Sequence, residues 1–189
     1  MQTRVANLND EDVLIRRAQE GDAEAFERLL RACDHQMQGL AIRLLGSRGA
    51  MDDALQDAYV KAYRHLGRFE PGAPFGPWLR TIVRRTCLDH LRSRSRRREV
   101  DLHAVPEPSA TTAEPGSRLG DADLVRRALA ALPGDQRAVV VLVDAEGMSY
   151  GEAADLLGIA EGTVASRLNR ARAEMRRVLH ADRREGGQR

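Results

Sequence analysis

The segment SYGEAADLLGIAEGTVASRLNRARAEMRRVL, residues 149–179, constrains the fold more than any other stretch. Ser149 followed three positions later by Glu152 is a capping box, in which each residue satisfies a backbone donor of the other. Ala153, Ala154 and Leu157 then place small and apolar groups on one helix face. Gly158 permits the left-handed turn that stops this helix, and Ile159 anchors the turn. A second helix starts near Glu161, with Val164, Leu168, Ala171 and Met175 as its inner stripe. Two helices joined by a short glycine turn, with a small residue at the crossing, describe a helix-turn-helix. At the rotation of an α-helix, Gly162, Ser166, Asn169, Arg170, Ala173 and Arg177 fall opposite the stripe. Ser166, Asn169 and Arg170 suit base edges, and Arg167, Arg172 and Arg176 flank that face and suit phosphates. The plain alternative is an ordinary amphipathic helix hairpin.

The rest of the chain also reads as helix. Residues 10–20 predict a short helix broken by Gly21, and Asp22 can cap the next one. That helix carries Phe26, Leu29, Leu30, Cys33, Met37, Leu40, Ala41 and Leu44 on one stripe and ends at GSRG, residues 46–49. A third opens at Asp52 or Asp53, with Leu55, Ala58, Tyr59, Ala62, Tyr63 and Leu66 inward. Its polar stripe of Asp53, Gln56, Asp57, Lys61 and Arg64 is either solvated or made for a protein partner. Residues 67–77, GRFEPGAPFGP, form a Gly/Pro loop, and a fourth helix runs from about Pro77 to Ser93. Residues 94–120 read as a linker, Arg-rich and then without apolar period. Helix returns at 121–131 and at 135–146, where the Val139–Val141 run could mimic a strand but has no hairpin partner nearby. With aromatics at only 4%, the composition suits small helical domains and argues against an aromatic-rich β-sandwich.

Charge is distributed in blocks. Residues 76–98 carry a net +7 and 161–189 a net +4, separated by a net −7 over 99–160. All but one of the 30 basic residues are arginine, a planar and permanently charged phosphate ligand. Two basic blocks suggest two contacts with a polyanion, against the alternative of a solvated helix face and a tail. The first block contains Trp78 and follows Phe69 and Phe75, and aromatics beside arginines suit single-stranded nucleic acid. Packing under the loop is the competing role for Phe75 and Trp78.

Other classes find little support. Cys33 and Cys87 lack CxxC spacing, so neither a disulfide framework nor a zinc site is expected, and a reducing cytoplasm suits the chain. No apolar run reaches the roughly 18 residues of a membrane span, and no signal peptide is evident. There is no P-loop, HExxH, GxSxG or carboxylate cluster, and the five histidines are scattered. No catalytic residue, metal or cofactor is therefore expected. The residues leave open a DNA-binding protein with a second, single-strand contact, a free-standing operator-binding regulator, and a nucleic-acid enzyme. A basic aromatic helix around Trp78 is surplus to the operator binder.

The strings DAEAFERLL (22–30), DDALQDAYVKAYRHL (52–66), FEPGAPFGPWLRTIVRRTCLDHLR (69–92), ALPGDQRAVVVL (131–142) and the helix-turn-helix resemble, in order, the extracytoplasmic-function (ECF) sigma factors. The resemblance implies an all-α chain of two small helical domains joined by a flexible linker. A four-helix region 2 occupies 10–93, the linker 94–120, and a region 4 helix-turn-helix 121–180. No additional C-terminal domain is expected beyond residue 189.

It further implies an alternative sigma factor, without catalytic activity of its own, that binds core RNA polymerase and directs promoter recognition and DNA opening. Asp53, Gln56, Asp57 and Lys61 would then meet the coiled coil of the β′ clamp, with the β flap as a second docking point. Phe69, Phe75, Trp78, Arg80, Arg84, Arg85 and Arg92 would hold the opened −10 element, a non-template base flipped into a loop pocket. Thr163, Ser166, Arg167, Asn169 and Arg170 would read the −35 element. An anti-sigma partner, commonly membrane-tethered, is implied, with no membrane insertion of the chain itself. Two residues depart from the family's habit: Arg85 where asparagine is frequent, and Ala165 where a basic residue is. Fewer direct −35 contacts leave a larger share to DNA shape.

Overall fold

The computed structural model describes residues 3–70, 72–100 and 121–186, and among them the regular structure is helical throughout. Helices α1 (Thr3–Gln19), α2 (Ala23–Leu45), α3 (Arg48–His65) and α4 (Phe75–Val100) come first. A short 3-10 turn, Leu66–Arg68, follows α3. Then come α5 (Asp121–Ala131), α6 (Gly134–Val140) with a π-helical extension Val141–Ala145, α7 (Tyr150–Leu157) and α8 (Glu161–Gly186). No helix among the described residues is long and apolar enough to cross a membrane. The chain divides into two compact units, Met1–Ala41 with Met51–Cys87, and Ile42–Ala50 with Leu88–Arg189.

The first unit is built on the stripe expected for α2. Phe26, Leu29, Met37 and Leu40 are buried with Ile15 and Ala18 of α1, Ala54, Leu55, Ala58 and Ala62 of α3, and Phe75, Leu79 and Val83 of α4. Each large apolar side chain so buried stabilises by about 1.5–3 kcal/mol. The buried side of α3 is mostly alanine, which lets that helix sit close to its neighbours. Tyr59 is only half-buried and Tyr63 is 44% exposed, so the inward stripe expected for α3 is narrower than its periodicity suggested. Asp22 caps α2 as anticipated, accepting from the Ala25 N–H at 3.0 Å.

Several boundaries differ from the sequence expectation. α1 begins at Thr3 and α3 at Arg48, because Gly46 and Ser47 suffice for the turn. α4 starts at Phe75 and continues through the arginine run to Val100, since arginine is a good helix former and no breaker intervenes. The remainder of the expected linker, 101–120, lies outside the described residues.

In the second unit, the helix-turn-helix forms as its sequence required. Ser149 accepts from the Glu152 N–H at 3.2 Å while the Ser149 N–H donates to Glu152 Oε2 at 2.8 Å. Gly158 takes φ 67°, and the Ile159 N–H closes on the Ala154 carbonyl at 3.1 Å. Val164, Leu168 and Ala171 are fully buried, whereas Met175 is half-buried. Ser149→Ala is expected to lower stability by about 1 kcal/mol, read from chemical denaturation; an unchanged midpoint would remove the cap's contribution. The Val139–Val141 run is helical, and its side chains are buried with Leu142, Leu129 and Leu132.

Arg137 is the unit's one buried arginine among the described residues. Its Nε donates to the Leu44 carbonyl at 2.9 Å and Nη2 to Leu45 at 3.0 Å. Nη1 reaches the carbonyls of Ala130 at 3.2 Å and Leu129 at 3.5 Å. The guanidinium thus satisfies carbonyls at the C-terminal ends of α2 and α5, where helices leave acceptors unpaired and partially negative. Gly46 adopts φ +76° beside it, and a Cβ there would overlap the Arg137 guanidinium.

Candidate nucleic-acid and partner interfaces

The outward face of α8 follows from its buried stripe. With Val164, Leu168 and Ala171 inward, Ser166, Asn169 and Arg170 are exposed, and Thr163 is half-buried at the first turn. The Ser166 hydroxyl donates to the Thr163 carbonyl at 3.0 Å, which leaves its lone pairs facing out. The flanking arginines are less free than expected. Arg167 Nε lies 3.2 Å from Asp135 Oδ2, and Arg172 is held by both carboxylate oxygens of Asp144, at 3.1 and 2.5 Å. Those Asp144 hydrogen bonds raise the pKa of Arg172. Arg172 therefore ties α8 to the π-helical turn rather than waiting for a phosphate. The Arg167 pair is solvent-accessible and, at about 0–1 kcal/mol, weak enough to exchange for one.

The aromatic residues around the Gly/Pro loop are placed differently from the reading that they stack on bases. Phe69 and Phe75 are 7% and 1% exposed. Phe75 packs edge-on against Phe26 at 6.4 Å and against Phe69 at 6.0 Å between ring centroids. Trp78 lies 4.9 Å from Phe69 and 5.4 Å from Phe75, half-buried. Such tilted and edge contacts are the favoured geometry for aromatic pairs, so the cluster serves as core under the loop, and of the three rings Trp78 retains the most exposure. Arg80 and Arg84 are half-buried, while Arg85 is exposed. Arg92 lies on the part of α4 that belongs to the second unit, exposed and 3.0 Å from Asp89. Burial pushes the Cys87 thiol up to about 12.

Three side chains of α1 that sequence reasoning left without a role hold this loop. Glu11 Oε1 accepts from the Phe75 N–H at 2.8 Å, and Asp12 Oδ1 from the Gly72 N–H at 2.8 Å. Gln19 Nε2 donates to the carbonyls of Leu66 and Phe69 at 2.9 and 2.7 Å. The one available hint was negative: neither Ala73 nor Pro74, just before α4, can supply a capping side chain.

On α3, Asp53, Gln56, Asp57 and Lys61 are all exposed. Lys61, the chain's one lysine, donates to the hydroxyl of the fully buried Thr86 at 3.2 Å and so braces α3 against α4. Beside this polar stripe lies a shallow apolar groove of about 350 Å3 lined by Phe26, Gln56, Tyr59, Val60, Tyr63 and Arg64. Val60 and Tyr63 are 47% and 44% exposed there. Burial and the adjoining Asp34 carboxylate, which accepts from the Tyr59 hydroxyl at 3.3 Å, raise the pKa of Tyr59.

Residues 29–97 match the Sigma-70 region 2 family, and residues 122–175 match Sigma-70 region 4. The ECF RNA polymerase sigma factor SigM of Mycobacterium tuberculosis is 41% identical over 84% of this chain and 79% of its own length. The chain belongs to the ECF sigma factors. Similar too are CarQ of Myxococcus xanthus, 35% identical over 86% of this chain and 94% of its own, and the sigma-E factor of Escherichia coli, 32% identical over 86% and 90%. Among solved structures, RpoE of Bartonella quintana in complex with the anti-sigma factor NepR superposes with a TM-score of 0.56. It is 31% identical over 85% of this chain and 99% of that one.

This ECF sigma factor carries its region 2 match on α2, α3 and α4 and its region 4 match on α5 to α8. The helix-turn-helix face was legible because caps and periodicity are local. The pairing of Arg167 and Arg172 was not, since Asp135 and Asp144 lie about 30 residues upstream.

Proposed function

We propose that this ECF sigma factor directs promoter choice by dividing labour between its two family regions: the exposed face of α3 docks on the β′ clamp coiled coil, the loop before α4 with α4 holds the opened −10 strand, and α8 reads the −35 element. The observation that carries the reading is the exposed set Ser166, Asn169 and Arg170 directly opposite a fully buried stripe, within a segment matching region 4. In the first unit, Trp78 and Arg85 are the accessible groups for an unpaired strand, and Phe69 and Phe75 support them from inside. Gln56 lines the apolar groove on Val60 and Tyr63, and Asp53 and Asp57 are exposed on the same helix, a combination of polar and apolar surface that suits a helical partner. In the second unit, Val125, Leu129, Val141, Met175 and Leu179 line a groove of about 450 Å3 that we assign to the β flap. The anti-sigma factor bound to the Bartonella relative supports a protein inhibitor for this chain as well.

The test is run-off transcription from a promoter library with core polymerase, with and without the protein. Discrete start sites are expected only in its presence; core polymerase that binds the protein yet gains no start-site choice would refute the reading. Within it, Arg170→Ala is expected to weaken −35 recognition by about 1–3 kcal/mol, as for loss of a bidentate base contact. Binding to matched and scrambled −35 duplexes checks this: an equal loss on both makes Arg170 a phosphate contact.

A further inference from the structure

We propose that α1 is the frame of the −10 loop, with Glu11, Asp12 and Gln19 as positioning residues that preset residues 66–70 and 72–75 to receive an unpaired base. The inference rests on the proposed strand-opening role of that loop and adds to it the device that shapes it.

The three contacts divide the loop between them. Gln19 donates both amide hydrogens, one to the Leu66 carbonyl and one to Phe69, fixing the 3-10 turn where the loop leaves α3. Asp12 takes the N–H of Gly72, which sits at φ +97°, a conformation that glycine adopts readily. Glu11 takes the Phe75 N–H at the start of α4. That helix has no acidic residue in its first turn, and the two residues before it are Ala73 and Pro74. A helix start leaves its first N–H groups unpaired and attracts negative charge. Glu11 supplies both the acceptor and the charge from 64 positions away.

Burial follows the same division. Phe69 and Phe75 are buried at the flanks, whereas Gly72, Ala73 and Pro74 are exposed at the tip. The tip's backbone is therefore presented to solvent while side chains of α1 hold it from behind. A flexible loop would have to be ordered at the moment a base is captured, and that ordering subtracts from binding. A loop ordered beforehand by α1 avoids the loss. Ile15 and Ala18, buried on α1 itself, anchor the frame to the core independently of these polar contacts.

The experiment uses the full chain assembled with core polymerase. Glu11→Leu/Asp12→Leu removes both acceptors while keeping helix-forming residues, and Glu11→Gln/Asp12→Asn keeps an acceptor oxygen at each position. Affinity is measured for a single-stranded −10 oligonucleotide, with each base in turn at the flipped position, for a −35 duplex, and for core polymerase. The leucine variant is expected to bind the −10 strand at least about tenfold more weakly, as for loss of one hydrogen bond to a charged acceptor, and to discriminate less among bases. Its −35 and core affinities stay at the parental level, and the amide variant recovers most of the loss. Parallel losses on all three ligands, equal impairment of the amide variant, or unchanged −10 binding each overturn the frame. If the parental holoenzyme itself shows no preference for the −10 strand, the strand-opening reading fails and takes the frame with it.

Discussion

Arg137→Met is expected to lower the unfolding free energy by about 3 kcal/mol, the scale of leaving buried acceptors without their donors. Arg137 is 6% exposed, and its guanidinium donates to the carbonyls of Leu44, Leu45, Leu129 and Ala130. Hydrogen bonds to a charged group contribute about 1.5–3 kcal/mol each, but four sharing one cation do not add. Methionine fills much of the same space and relieves the desolvation of the charge, yet it leaves buried helix-end carbonyls without donors. The second effect is the larger, because an unmet buried acceptor loses its full hydration while the apolar gain is that of a partial side chain. Denaturant titration of the full chain reads the difference. A change below about 1 kcal/mol would mean that water or a neighbouring donor replaces the guanidinium.

Asp53→Arg is expected to weaken assembly with core polymerase by at least about 2 kcal/mol, some thirtyfold, since placing like charges across an interface is strongly unfavourable. Asp53 is exposed on α3, one helical turn before the Gln56 that lines the groove, so its reversal leaves the core of the first unit untouched. Folding stability should therefore change by no more than about 0.5 kcal/mol, the usual scale for surface substitutions. Competition between labelled parent and unlabelled variant for core polymerase separates the two effects. Unchanged core affinity would remove the α3 face from the docking surface; a parallel loss of stability would make the substitution uninformative about contact and assign Asp53 a structural part instead.

How far the site could be read beforehand varies with the residue. Ser166, Asn169 and Arg170 face outward as rotation about a helix requires, because Val164, Leu168 and Ala171 fix the inward direction within two turns. Phe75 and Trp78 carried two opposite readings, stacking surface or packing under the loop. Phe75 is buried against Phe26 and Phe69, and no local pattern near residue 75 announces a partner at residue 26. Lys61 is exposed on the stripe read as solvated or partner-facing, and its hydrogen bond to Thr86 on the neighbouring helix had no local signal. The arginines after Ser93 read as linker because they lack apolar period; an exposed helix needs none when its residues favour the conformation.

Caps, left-handed glycines and apolar spacing act over a few residues, and they were enough to establish a helical protein, the helix-turn-helix and its outward face. Which loop is pinned by α1, how Arg167 and Arg172 are paired, and how Arg137 reaches the end of α2 depend on residues that sit 28 to 93 positions apart. Packing brings those groups together, and a hydrogen bond exists only where both partners arrive within reach. Tertiary structure alone therefore assigned Glu11, Asp12, Gln19 and Arg137 their parts.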